Sequence, residues 1–194
     1  MCEYEHVREA VLRGIQQFYA DHGLLLEIDA NERSVTHWLA NCLQPEFPQW
    51  DIDCEYNRKG ELPKELKASA ETVAVQDTDA RTVFPDIIVH RRKRPENILI
   101  AEIKKAGSRV GPEKDLAKLV DFGHEGDYAY KFGIFAVLGI GQFLMQWFAA
   151  GEPTHRELLS IRDGQLAVQQ TPHRALADMS SRVEEVLERM GFDA

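Results

Sequence analysis

The chain has 194 residues, enough for one domain with a sizeable hydrophobic core. Its hydrophobic fraction of 44% and its charged fraction of 28% are ordinary for a water-soluble globular protein. The formal net charge of −9 weighs against an extensive basic surface of the kind that polyanion-binding proteins usually carry. Carboxylates that hold a divalent metal ion also count as negative in that sum, so a local nucleic-acid site is not excluded.

The three cysteines are odd in number and none lies in CxxC spacing, so the sequence predicts neither a disulfide framework nor a zinc site. We read Cys2, Cys42 and Cys54 as thiols of a reducing compartment. Residues 1–6 show no apolar signal-peptide region, and we expect a cytoplasmic protein.

Two amphipathic helices are predicted in the first part of the chain. Apolar side chains recur at helical spacing over residues 4–22, and Gly23 is a stop signal. A second helical pattern follows Asn31 and is closed by Pro45; its apolar members are Val35, Trp38, Leu39, Cys42 and Leu43. Residues 50–58 then alternate between apolar and polar side chains, which predicts a half-buried strand.

Residues 59–82 are polar and weakly patterned. We read them as a mobile connection that includes one short helix at residues 63–70. Long loops in compact domains are often functional or disordered, and this one leads directly into the next strand.

Two strands are predicted next, at about residues 82–90 and 97–104, with a basic turn at residues 91–96 between them. A helix begins at Gly111 and Pro112 and has Gly123 as its cap. Its predicted buried stripe consists of Leu116, Leu119 and Val120.

Residues 132–151 carry no charge and are numerous enough to span a bilayer. The stretch breaks near Gly139-Ile140-Gly141, however, and two buried strands explain it equally well, because a sheet covered on both faces produces continuous apolar runs. We interpret it as core, given the otherwise soluble composition. A hairpin with an Asp163-Gly164 turn and an amphipathic helix at about residues 173–190 complete the chain.

Together these elements predict a single α/β domain over residues 1–194, in which a mixed β-sheet is flanked by α-helices. The sequence shows no internal repeat, no low-complexity tract and no convincing domain boundary.

The most informative residues lie on the two strands that the basic turn joins. In a hairpin centred on that turn, the predicted facing pairs are His90 with Ile98, Ile88 with Ile100, and Asp86 with Glu102. Lys104 lies on the same face as Glu102, because side chains two residues apart in a strand point the same way. Carboxylates on directly opposed residues repel each other unless a cation sits between them, and Mg²⁺ or Mn²⁺ is the expected occupant. The alternative is a surface salt-bridge ladder on an exposed face.

Glu32 is a candidate third acid, since it lies three residues before Val35 and seven before Leu39, at the edge of the apolar stripe. Alternatively, it occupies the first helical turn only to interact with the helix dipole. The pattern alone leaves both interpretations open.

Basic residues suggest where substrate phosphates could bind. The run at residues 90–94 could grip a phosphate backbone or could be a solvated turn. Lys105, Arg109 and Lys118 lie nearer the carboxylates and are the better candidates for substrate phosphates.

Pro85-Asp86, followed after fifteen residues by Glu102-Ile103-Lys104, resembles the motif of the PD-(D/E)XK, or restriction-endonuclease-like, nuclease superfamily. Further segments resemble small members of that superfamily and extend the likeness over about residues 5–140. They are Asn31-Glu32-Arg33-Ser34, the strand ending Glu55-Tyr56-Asn57-Arg58, Asp115 with Lys118, and the Phe-Gly-Ile-Phe strand that follows.

The resemblance implies a restriction-endonuclease-like three-layer core, with a mixed sheet between helices. It implies that Asp86, Glu102 and the Ile103 carbonyl bind Mg²⁺ or Mn²⁺, and that Glu32 completes the shell through water. Lys104 would orient or deprotonate the attacking water. The catalytic set is then Glu32, Asp86, Glu102 and Lys104.

The function expected from this resemblance is metal-dependent hydrolysis of nucleic acid, with DNA favoured over RNA. The alternative is a catalytically silent nuclease-like domain that binds nucleic acid or a nucleotide, or that acts as a protein-interaction module. We expect no membrane partner. A homodimer is one assembly that suits cutting of both strands of a duplex.

Overall fold

A computed structural model describes residues 3–55, 58–59, 62–63, 84–124, 129–168 and 174–192. The helices are α1 (Glu3–His22), α2 (Leu24–Glu27), α3 (Glu32–Leu43), α4 (Glu113–His124) and α5 (Arg174–Arg189), with a short 3₁₀ turn at Gln44–Glu46. The strands are β1 (Asp51–Cys54), β2 (Arg58–Lys59), β3 (Leu62–Pro63), β4 (Ile87–Arg91), β5 (Glu96–Lys105), β6 (Phe132–Gly139), β7 (Gln142–Ala149), β8 (Glu152–Arg162) and β9 (Gln165–Val168).

Seven of these strands form one mixed sheet in the order β1-β4-β5-β6-β7-β8-β9. Neighbouring strands are antiparallel except β5 and β6, which run parallel because helix α4 carries the chain back across the sheet between them. Strands β2 and β3 pair with each other in a second, two-stranded sheet. The helix predicted at residues 63–70 lies outside the described residues, apart from residue 63.

Hydrophobic residues cover both faces of the sheet and confirm an α/β fold with helices on each side. On one face α1 and α3 pack on alternate residues of the central strands, among them Ile87, Leu99 and Ile134. On the other face α4 and α5 pack on Ile88 and Ile100. Burial on both faces explains the uncharged run at residues 132–151, which forms β6 and β7. Within the described residues, we find no helix with the length and apolar character to cross a membrane.

Local chemistry sets the ends of α3. The side chain of Asn31 accepts a hydrogen bond of 2.8 Å from the amide of Ser34 and so caps the first turn. Pro45 lies in the 3₁₀ turn that follows, as expected for a residue that ends a helix. Trp38, predicted to be in the apolar stripe, is instead partly exposed and stacks on His22 with the ring centroids 4.2 Å apart.

The β4–β5 hairpin has the predicted register over most of its length. Ile88 lies opposite Ile100, but an irregularity between Val89 and His90 places His90 opposite Asn97. The predicted pairing of His90 with Ile98 was therefore wrong, because an extra residue in one strand shifts the partners beyond it.

Gly123 is not the cap of α4, since the helix continues to His124. A Cβ atom at Gly123 would lie only 2.1 Å from the backbone nitrogen of Gly151, in the turn between β7 and β8. Glycine at this position lets α4 approach that turn closely. The Asp163-Gly164 turn is confirmed, and both residues adopt the positive φ, 49° and 74°, that a tight hairpin turn requires.

Candidate metal and phosphate site

The predicted carboxylates meet where β4 begins. Asp86 immediately precedes β4, and Ile87 lies opposite Ala101, so the same register places Asp86 beside Glu102. The Asp86 side chain accepts a hydrogen bond of 2.8 Å from the backbone amide of Ile103. That bond fixes one carboxylate oxygen of Asp86 at the edge of β5.

Glu102 and Lys104 lie on the face of β5 that α4 covers, among apolar neighbours. Glu102 is 0% exposed and Lys104 is 8% exposed, so both charged groups have lost nearly all contact with water. Buried charges are costly unless they are paired, and the surrounding residues supply partners.

A chain of alternating charges links β5 to helices α3 and α4. Lys118 forms ion pairs with Glu102 and, at 3.2 Å, with Asp115. Asp115 also pairs with Lys104 at 2.9 Å, and Lys104 lies 3.5 Å from Glu32.

Glu32 is also tied to the backbone of β5. Its second carboxylate oxygen accepts a hydrogen bond of 3.3 Å from the backbone amide of Lys105. Glu32 thus joins the cluster from the first turn of α3, while still occupying the position that favours the helix dipole.

The cluster carries more negative than positive charge. Glu32, Asp86, Glu102 and Asp115 supply four carboxylates against the two ammonium groups of Lys104 and Lys118. When every group is ionised, the difference equals the charge of one divalent cation.

One buried oxygen of the cluster has no partner among the described residues. Oε2 of Glu102 contacts Lys118, but Oε1 is shielded from solvent and accepts no hydrogen bond there. A buried acceptor of this kind is uncommon in a folded protein and is consistent with a ligand or ion bound beside it.

Burial and crowding of like charges raise the pKa of both strand carboxylates. The pKa of Glu102 is well above its ordinary value because the side chain is desolvated and Asp86 lies nearby. Desolvation also raises the pKa of Asp86, although the Ile103 amide opposes that shift. These two groups are therefore easier to protonate than free carboxylates.

The pKa values of Lys104 and Lys118 are raised, whereas burial alone would lower them. Desolvation lowers the pKa of Lys104, but the hydrogen bond and charge of Asp115 outweigh it and raise the pKa above its ordinary value. Lys104 therefore carries a positive charge at neutral pH.

The three predicted phosphate contacts lie in different surroundings. Lys118 is mostly buried and neutralises Glu102. The ammonium of Lys105 donates to the carbonyl oxygens of Ala30 at 2.6 Å and Asp29 at 3.3 Å, and ion-pairs with the Asp29 carboxylate. Arg109 is exposed in the loop between β5 and α4. Lys105 and Lys118 are therefore both bound by oxygen atoms of the protein.

The arginines of the basic turn also form ion pairs with acidic side chains. Arg92 pairs with Asp51 and Asp53, and Arg91 and Arg94 both pair with Glu96. His90 is buried and lies 2.8 Å from the Asp53 carboxylate. These contacts favour a solvated turn over a turn that binds a phosphate backbone.

A surface cleft of about 460 Å³ opens in front of Asp86. It lies between the start of α3 and the end of β1, and its lining residues are Glu32, Arg33, Thr36, Cys54, Glu55 and Asp86. Arg33 and Glu55 form an ion pair of 2.9 Å between the two walls. The Glu55 amide donates to the Asp86 carbonyl at 3.3 Å, which fixes the β1 wall against the candidate site.

The donor chemistry of this site fits a hard divalent cation. Carboxylate and carbonyl oxygens are the ligands that Mg²⁺ and Mn²⁺ prefer, and the unpartnered Glu102 oxygen and the excess negative charge both suit a cation. No group of three or more His, Cys, Asp or Glu side chains placed to hold a metal occurs in the described part of the chain. A cation here would therefore need backbone or water oxygens in addition to Asp86 and Glu102.

Sequence reasoning did not give Asp115 or Arg33 a role in the site. Asp115 precedes Leu119 by four residues and Phe122 by seven, so it lies in the buried stripe of α4. An acid in an apolar stripe is the signal that could have identified it. Arg33 carries no such signal, because its position depends on how α3 meets β1.

Comparison with known proteins finds no family model and no curated protein that matches this chain. The resemblance to PD-(D/E)XK nucleases therefore stays a prediction that depends on the motif residues.

Proposed function

We propose that the protein is a metal-dependent nuclease of the PD-(D/E)XK superfamily, which hydrolyses phosphodiester bonds of nucleic acid with Mg²⁺ or Mn²⁺. DNA is the proposed substrate in preference to RNA. In this proposal strands β1, β4, β5 and β6 form the restriction-endonuclease-like core. A homodimer would allow two such sites to act on the two strands of a duplex.

The observation that carries the proposal is the meeting of Asp86 and Glu102 beside Lys104. Two carboxylates lie next to each other in the β4–β5 register, and one of them is fully buried with an oxygen that has no hydrogen-bond partner in the described part of the chain. An ordinary surface salt-bridge ladder would be exposed to solvent, and Glu102 is not. Such burial is costly for stability and is characteristic of functional sites.

Each residue has a distinct role in this proposal. Asp86, Glu102 and the Ile103 carbonyl would hold the cation, and Glu32 would contact it through water. When bound, the cation offsets negative charge at the scissile phosphate and makes water a better nucleophile at neutral pH. Lys104 would donate a hydrogen bond from a charged ammonium group, which stabilises the negative charge that develops on the phosphate. Asp115 would keep that ammonium protonated and in position.

Lys118 takes a different role from the one expected of it. Its ammonium neutralises Glu102 and Asp115, so we propose that it balances charge inside the site and does not contact substrate phosphate.

Purified protein incubated with single- and double-stranded DNA and RNA, in Mg²⁺ or Mn²⁺, tests the activity. We expect Asp86→Asn and Lys104→Met to reduce the hydrolysis rate about 100-fold or more, because each removes a charged group of the reaction site. Asp178→Asn, an exposed acid on α5, is the matched control and should retain wild-type activity. Full activity in both site variants would contradict the mechanism.

The second candidate is a catalytically silent nuclease-like domain, and two observations favour it. Lys118 already neutralises Glu102, and the described residues offer no cluster of three metal-ligating side chains. A protein with this function would bind nucleic acid or a partner without hydrolysis. Absence of Mn²⁺ binding at millimolar concentration, measured by calorimetry, would support it over the enzyme.

A further inference from the structure

The cleft in front of Asp86 has the size to take one phosphodiester unit, and one of its lining residues is an arginine. Its volume of about 460 Å³ is within the usual range for small-ligand sites. Glu32, Glu55 and Asp86 give it three carboxylates, and Arg33 is the cation that lines it within the described part of the chain. A phosphate that enters this cleft therefore meets Arg33 close to the proposed metal ligands.

Arg33 is available for such a contact in a way that the predicted lysines are not. Its side chain is 85% exposed, and its partner Glu55 is 49% exposed. Exposed ion pairs of this kind contribute little to stability, so exchanging Glu55 for a phosphate has a small cost. Lys105 and Lys118, in contrast, are largely buried against protein oxygens.

The guanidinium group also has the right chemistry. It presents a planar set of N–H donors that matches two oxygens of a phosphate, and this arrangement binds more strongly than a single ammonium contact. Asn31 caps α3 and thereby holds the backbone of its first turn, from which Arg33 projects.

We propose that Arg33 binds the substrate phosphate at this cleft and that it does so only when a divalent cation is present. This inference rests on the proposed function. Without a cation, the three carboxylates of the cleft repel a phosphate and Arg33 stays with Glu55. A bound cation removes most of that repulsion, and Arg33 can then exchange its partner.

The overall charge of −9 also affects how strongly the affinity for DNA depends on salt. The basic turn lies at the opposite end of β4 from Asp86, so a phosphate in the cleft is remote from its arginines. The protein can therefore neutralise few substrate phosphates at this site. Its affinity for DNA should therefore depend only weakly on salt, with log K falling against log salt concentration with a slope of about −1 to −2.

Fluorescence anisotropy of short fluorescein-labelled DNA, single- and double-stranded, tests the inference in buffer containing either Ca²⁺ or EDTA. We expect tighter binding in Ca²⁺ than in EDTA. Arg33→Ala should weaken the Ca²⁺-dependent binding about tenfold and reduce the salt slope by about 1. Glu55→Gln should strengthen it, because Arg33 loses its competing partner and the cleft loses a negative charge.

Arg94→Ala is the matched control, since Arg94 is an exposed arginine of the basic turn that also pairs with a glutamate. It should bind DNA as the wild type does. Arg33→Lys should recover part of the affinity, because the charge returns without the planar donor set. Thermal unfolding of each variant should match the wild type, since Arg33 is a surface residue.

Equal binding by wild type and Arg33→Ala, or wild-type binding that is the same in Ca²⁺ and EDTA, would overturn the inference. A DNA-hydrolysing protein whose KM is unaffected by Arg33→Ala would overturn it while leaving the proposed function intact. Ca²⁺-dependent binding that is weakened about tenfold in Arg33→Ala, in a protein that hydrolyses no nucleic acid in Mg²⁺ or Mn²⁺, would support the inference and contradict the proposed nuclease activity.

Discussion

Asp86 and Glu102 carry an energetic cost that is hard to explain without a ligand. Burial raises the pKa of both carboxylates, and Asp86 adds to the shift at Glu102. Among the described residues, one buried oxygen of Glu102 has no hydrogen-bond partner. In the absence of a cation, their ionised forms destabilise the folded state. Metal binding would reverse that effect, because the same two carboxylates would then become ligands.

The pH dependence of stability should show this cost. The folded-state pKa of Asp86 is raised above that of the unfolded chain, so the stability of the metal-free protein falls as pH rises from the unfolded value through the raised one. Asp86→Asn removes that charge. In EDTA the variant should therefore melt at a higher temperature than the wild type at neutral pH, and the difference should shrink towards acidic pH.

Each 1 kcal/mol added to the free energy of unfolding raises the melting temperature by about 2–4 °C in a protein of this size. Adding Mn²⁺ should reverse the order, since the wild type then has both carboxylates to bind it. Asp178→Asn serves as the control on an exposed acid and should follow the wild type in both buffers. A variant that melts below the wild type at neutral pH in EDTA would show that ionised Asp86 stabilises the fold, contrary to its raised pKa.

At the scale of the elements, helix α4 connects the sheet to the site. It supplies Asp115 and Lys118 to the cluster, and it packs Leu116, Leu119 and Phe122 on the sheet. Its position depends on close contact between Gly123 and the turn that contains Gly151. A shift of α4 would therefore move both the core contacts and the partners of Lys104.

Gly123→Ala should destabilise the protein by about 1–3 kcal/mol, because the added methyl group overlaps backbone atoms that cannot rotate away. Urea unfolding measures the change. Lys114→Ala, at an exposed position of the same helix, should have little effect. If Gly123→Ala were as stable as the wild type, α4 and the β7–β8 turn would not be as close as the structure places them.

Most elements could be predicted from local patterns, and the hairpin register brought Asp86 and Glu102 together correctly. The shift at His90 could not be predicted, because residues 98–101 of β5 are all apolar and buried, so the sequence has no polar alternation there that an extra residue could interrupt. The ion-pair partners of Lys105 and Lys118 also could not be predicted. They depend on where the loop between α2 and α3 and helix α4 lie against β5, and sequence spacing does not encode those positions.

At the scale of the whole molecule, an acidic protein places its candidate site at one end of two adjacent strands. The seven-stranded sheet, covered by helices on both faces, holds the charged groups of that site in fixed positions. The net charge of −9, and the position of the basic turn at the opposite end of β4 from Asp86, limit the number of phosphates that the protein can neutralise at the site.

Titration of Mn²⁺ into the metal-free protein, followed by calorimetry, tests most directly whether Asp86 and Glu102 hold a divalent cation. We expect one Mn²⁺ per chain, release of protons that grows as pH is lowered towards the raised pKa of Glu102, and loss of binding in Glu102→Gln but not in Asp178→Asn. Unchanged Mn²⁺ binding in Glu102→Gln, or no binding by the wild type at millimolar Mn²⁺, would contradict the account.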